Sequence, residues 1–117
     1  MSINFDGQNG ILTTGALTST AVDYAALPSD EIILVTATGK NITLPSAIPI
    51  KGKRFTVKLT VPGIATVLTS LGQTIDGSVD CLLSGQNSLV TVMSDGANWI
   101  IVVALGATLT PYYGSLY

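Results

Sequence analysis

Lys53-Arg54-Phe55-Thr56-Val57-Lys58-Leu59-Thr60 alternates without a break: Phe55, Val57 and Leu59 fall on one side, and Arg54, Thr56, Lys58 and Thr60 on the other. Successive side chains of an extended chain point to opposite faces, so this stretch is a strand with one buried and one half-exposed face. That is the pattern of an antiparallel strand over a core. Working outward, Ala47 to Lys53 holds Pro49 and Gly52 and reads as loop, and Asn41-Ile42-Thr43-Leu44 is a short strand stopped by Pro45. Thr38-Gly39-Lys40-Asn41 is a turn, and Glu31 to Ala37 (EIILVTA) is apolar enough on both parities to be a central strand. On the other side, Pro62-Gly63 turns the chain into a strand at Ile64 to Leu71, and Asp76-Gly77 marks a hairpin or tight turn. Val79 to Leu83, Ser88 to Ser94 and Asn98 to Ala104 follow as strands, with Asp95-Gly96-Ala97-Asn98 turning between the last two. No window keeps a helical period. Residues 31–104 are therefore expected to form an all-β domain, an antiparallel sandwich or barrel of jelly-roll-like kind.

The flanks differ in character. Residues 1–30 are rich in Gly, Thr, Asn and Ala, with Asp6-Gly7 and Asn9-Gly10 as turn dipeptides, and read as an N-terminal arm or a strand lent to a neighbour's sheet. Residues 105–117 carry Tyr112, Tyr113 and Tyr117. Such side chains give large, amphipathic contact area at low entropy cost, so this segment is expected to dock, either on another chain or back on its own body.

At 117 residues the chain is one domain's worth, and 47% hydrophobic against 10% charged residues is an unusual balance. Ordinary soluble domains carry about a quarter charged residues, so much of this surface is expected to be covered by other chains. A net charge of −2 gives no basic face for nucleic acid. All five basic residues (Lys40, Lys51, Lys53, Arg54, Lys58) fall in one short stretch. They are either the polar face of a strand with its preceding loop or a contact patch for an acidic neighbour. No apolar run approaches a membrane span, and the N-terminus lacks the pattern of a secretory signal, so the chain is expected to be made in a cytoplasm.

Catalytic chemistry finds little to work with. The sequence has no histidine, and its one cysteine, Cys81, sits in an apolar run and reads as a small buried hydrophobe. No nucleotide-binding glycine motif or zinc spacing occurs, and no cofactor or metal is expected. Asp76 and Asp80 are the nearest approach to a carboxylate pair, but Gly77 interrupts the strand that would align them. Trp99, the only tryptophan, is followed by Ile100, Ile101, Val102 and Val103, which favours a core or interface role over a sugar platform.

Two pairs of segments resemble a β-module of tailed-bacteriophage virion proteins. Asn41-Ile42-Thr43-Leu44-Pro45-Ser46-Ala47 followed by Lys51-Gly52-Lys53-Arg54-Phe55-Thr56-Val57-Lys58 is one; Thr74-Ile75-Asp76-Gly77-Ser78 followed by Leu89 to Trp99 (LVTVMSDGANW) is the other. The opening Asn4-Phe5-Asp6-Gly7-Gln8-Asn9-Gly10-Ile11 is similar to N-termini of phage fibre proteins. The resemblance implies a non-enzymatic virion protein, a homotrimer, with the major capsid protein or another virion protein as partner. Because the module with short flanks makes up the whole chain, it looks more like a head decoration (cement) protein than a tail fibre. Phe5, Trp99, Tyr112, Tyr113, Tyr117, Lys51, Lys53 and Arg54 are the residues expected to make assembly or partner contacts.

Overall fold

The computed structural model of the protein describes residues 16–109, which form two five-stranded sheets. The strands are β1 (Leu17–Thr20), β2 (Tyr24–Ala25), β3 (Ile32–Val35), β4 (Lys40–Thr43), β5 (Arg54–Leu59), β6 (Ile64–Leu68), β7 (Asp80–Ser84), β8 (Leu89–Ser94), β9 (Trp99–Leu105) and β10 (Ala107–Leu109). One 3-10 turn lies at Ile48–Ile50. The first sheet has the order β1-β3-β5-β8-β9 and the second β10-β7-β6-β4-β2. The all-β expectation is met.

The pairing departs from the expected antiparallel, jelly-roll-like order. From β1 to β6 the chain alternates between the sheets, so each return to a sheet runs in the same direction as the last. β1, β3 and β5 pair in parallel, as do β2, β4 and β6. Antiparallel pairing begins only where β7 joins β6, β8 joins β5, β9 joins β8 and β10 joins β7. Both sheets are therefore mixed. The cause lies in where the turns send their hydrogen bonds. A hairpin turn bonds across its own two strands, whereas here Thr36 N–H donates to Thr20 O (2.8 Å), Thr60 N–H to Val35 O (2.9 Å) and Gly39 N–H to Ile64 O (2.7 Å). Each corner is tied to the corner of the next coil. The Asp76-Gly77 signal does produce a tight turn: both residues have positive φ (48° and 86°), and Ile75 and Ser78 exchange backbone bonds of 2.8 and 2.9 Å.

The alternation read in β5 sets the core. Phe55, Val57 and Leu59 are fully buried, and register carries the buried column across the sheet to Ile33 and Val35 on β3 and to Val90 and Val92 on β8. The second sheet contributes Ile42, Ala65, Val67, Cys81 and Leu83, and all join Trp99 and Ile75 in one core cluster. Cys81 behaves as the small hydrophobe expected of it; burial pushes its thiol pKa up, with the charges of Asp80 and Asp76 adding to the effect. At the far end of the core, Ser94 Oγ donates to Ala47 O (2.6 Å) and Gln73 Oε1 accepts from Ala47 N–H (2.9 Å), so both backbone groups of the buried Ala47 are paired.

Candidate assembly surface

The outer face of the first sheet is the more apolar of the two. Because inward residues are fixed by burial, register assigns the outward ones row by row. On the first sheet one row runs Leu17, Ile32, Thr56, Thr91, Val103; the next runs Ser19, Leu34, Lys58, Leu89, Leu105; and Arg54, Met93 and Ile100 make a third. Apart from Arg54 and Lys58 this face carries no charge, and Thr56 and Thr91 spend their hydroxyls on each other at 2.8 Å. Leu17 (61%), Val103 (52%) and Leu105 (62%) are the most exposed of its large apolar side chains. The outward positions of the second sheet are mixed: Asn41, Thr43, Thr66, Asp80, Ser84 and Thr108 share them with Ala25, Ile64, Leu68 and Leu82.

Among the described residues the apolar face runs out onto β9, an edge strand of its sheet. β9 is uncharged throughout, and from Val102 to Leu105 every residue is exposed. Its beginning is covered by the chain's own 74–76 segment: Trp99 N–H donates to Thr74 O (2.9 Å), Asp76 N–H to Trp99 O (2.9 Å), and Ile101 N–H to the Asp76 carboxylate (3.2 Å). A bulge shifts the register where Val92 faces Ile101 and Thr91 faces Val103, leaving Val102 as the extra residue. Uncharged, apolar edge strands are what proteins ordinarily avoid exposing.

The opposite edge, β1, is held by a buried carboxylate. Asp30, 5% exposed, accepts from Thr18 Oγ1 (2.7 Å), Tyr24 Oη (2.7 Å) and Leu27 N–H (2.8 Å), tying β1, β2 and the following turn together. Burial alone would raise its pKa. The three donors, with a smaller contribution from the Lys53 charge, outweigh burial and hold it below the ordinary carboxylate range. The same contact raises the Tyr24 phenol. A carboxylate with a lowered folded pKa contributes stability that is complete above its unfolded value, near 4, and is lost as pH falls through the folded value. The urea midpoint is therefore expected to fall on acidification below about pH 4. Asp30→Asn should lower stability at pH 7, by about 2–3 kcal/mol for charge-assisted hydrogen bonds lost, and flatten that acid dependence. An unchanged acid profile in the variant would remove Asp30 from this role.

Of the expected contact residues, Lys51, Lys53, Arg54 and Trp99 lie among the described residues. Arg54 lies exposed on the outer face of the first sheet, and Lys51 is exposed beside Gly96, where the Lys51 side chain approaches the glycine. Lys53 holds its ammonium 5.0 Å from the centre of the Phe55 ring, a cation–π contact. Lys40 opens β4 in the other sheet, so the basic stretch divides between locations. Trp99 is fully buried, in a T-shaped contact with Phe55 whose ring centroids are 5.5 Å apart. Phe5, Tyr112, Tyr113 and Tyr117 lie outside the described residues. Sequence reading missed the outer-face row Leu34-Leu89-Leu105 and its neighbours. The signal was present in Ile32, Leu34, Leu89 and Met93, apolar residues at the parity opposite to the core. Among the described residues no group of acidic, Cys or His side chains is arranged to hold a metal ion, and no helix is long and apolar enough to cross a membrane. Compared with known proteins, the chain matches no family model and no curated sequence.

Proposed function

We propose that this chain is a non-enzymatic structural protein of a tailed-phage virion, a head decoration (cement) protein that binds the assembled capsid as a homotrimer. The observation that carries the assembly part is the apolar outer face of the first sheet, with Arg54 and Lys58 as its only charges. A face of this kind is stabilised by being covered, at roughly 25 cal/mol for each Å² of apolar surface removed from water. The virion part rests on the likeness of the 41–58 and 74–99 segments to phage β-modules. The two sheets are read as closing into a sandwich around their shared core. The mechanism is thermodynamic: a protein that binds the assembled shell and not its separated subunits stabilises the shell by mass action. It needs no cofactor, nucleic acid or membrane, and its place is the virion.

Adding labelled protein to shells stripped of it, and imaging where density returns, tests this reading. Density over the capsid lattice, with shells that withstand more heat, is the expected result. Density confined to the tail would replace it with a short tail-fibre or receptor-binding role, and no density on the particle would end the virion reading.

A further inference from the structure

β1 and β9, the edge strands of the first sheet among the described residues, fit each other. We propose that copies of the chain join edge to edge, with Val102–Leu105 on β9 of one copy pairing in parallel with β1 of the next, to give a closed ring with one continuous apolar outer face. This rests on the self-assembly reading above and specifies the contact.

Strand direction is the first support. β1 and β5 run the same way, β8 runs against β5, and β9 runs against β8, so β9 and β1 point in the same direction at opposite edges of one sheet. Rotation about an axis along the strands keeps their direction, so neighbours in a cyclic assembly present β9 to β1 as a parallel pair. Such a head-to-tail contact generates a ring when the rotation closes.

Length and row alignment agree with this. The 74–76 segment covers β9 as far as Ile101, and among the described residues no strand pairs with the outer edge from Val102 to Leu105; β1, at the other edge, is 4 residues long. Val103 stands in the same row as Leu17, and Leu105 in the same row as Ser19. Setting β1 of the next copy beside β9 with these rows level extends both rows without interruption. Neither edge carries a charge, so the joint brings no like charges together. A two-fold pairing of β9 with β9 would leave the β1 edge, with Leu17 at 61% exposure, uncovered.

Leu17→Cys and Val103→Cys, singly and together, test the joint by treatment with a short thiol crosslinker under native conditions, where Cys81 is buried. The double variant is expected to yield covalent species of three or more chains, while each single variant stays one chain on a denaturing gel. Val103→Lys, which places a charge in the edge, should reduce the light-scattering mass to one chain with an unchanged β circular dichroism spectrum. Dimers from Val103→Cys alone would show β9 meeting β9 and overturn the proposal. So would a monomeric wild-type protein, or a Val103→Lys variant of unchanged mass. Capsid binding is read separately: rings that form through this joint yet leave shells bare would remove the virion role and leave the joint standing.

Discussion

Trp99→Ala is expected to lower the unfolding free energy by about 3–5 kcal/mol, a large part of the 5–15 kcal/mol that holds a domain of this size together. Trp99 is the bulkiest of the fully buried side chains, and its ring packs against Phe55 at an interplanar angle of 62°. Its backbone also bridges the 74–76 segment to β9, so a void at this position loosens the seam where the sheet edge begins to be covered. The indole N–H has no hydrogen-bond partner among the described residues. Phe keeps most of the buried ring, so Trp99→Phe is expected to cost much less than Trp99→Ala, about 1–2 kcal/mol. Urea titration followed by circular dichroism measures both variants. Equal losses for Phe and Ala would mean that the N–H, rather than ring volume, holds the site.

Gly63→Ala is expected to cost about 3–5 kcal/mol, combining strain at positive φ with overpacking. Gly63 has φ of 126°, and a Cβ there would run into the Thr38 side chain, coming within 2.5 Å of the Thr38 Cβ as well as onto its Oγ1. Thr38 cannot simply withdraw, since its Oγ1 accepts the Ile64 N–H at 3.0 Å and so fixes the neighbouring corner. In the double variant Thr38→Gly/Gly63→Ala the collision is relieved but the backbone strain remains, so part of the loss should return. A neutral Gly63→Ala would contradict the packing of one coil's corner on the next, and with it the parallel winding of the first six strands.

That winding was the feature least legible in the sequence. The Thr38-Gly39 and Pro62-Gly63 dipeptides announce turns, and they are turns. Whether a turn closes a hairpin or carries the chain to another sheet depends on the partner its N–H finds, and for Gly39 that partner is Ile64 O, 25 positions along the chain. No local pattern encodes it. The strand β5 was legible because one buried face imposes period two. Trp99 was legible from the apolar residues beside it. Residues 17–25, in a segment without its own hydrophobic period, lie in β1 and β2 beside β3 and β4, where Asp30 clasps them through side chains drawn from separate positions. The outer face of the first sheet was half legible. EIILVTA is apolar on both parities, as a strand covered on both sides would be, and the described residues cover only one of those sides.

Met93 offers the most direct test of that uncovered face. It stands on β8 in the row with Arg54 and Ile100, pointing away from the core. Its oxidation by hydroxyl radicals can be compared by mass spectrometry between free protein and protein bound in assembled particles, with Leu71, on an exposed turn of the other loops, as an internal reference. Strong protection of Met93 on assembly, with Leu71 labelled equally in both states, is the expected result. Equal labelling of Met93 in both states would show that the face stays wet in the particle and would contradict its role as the assembly surface.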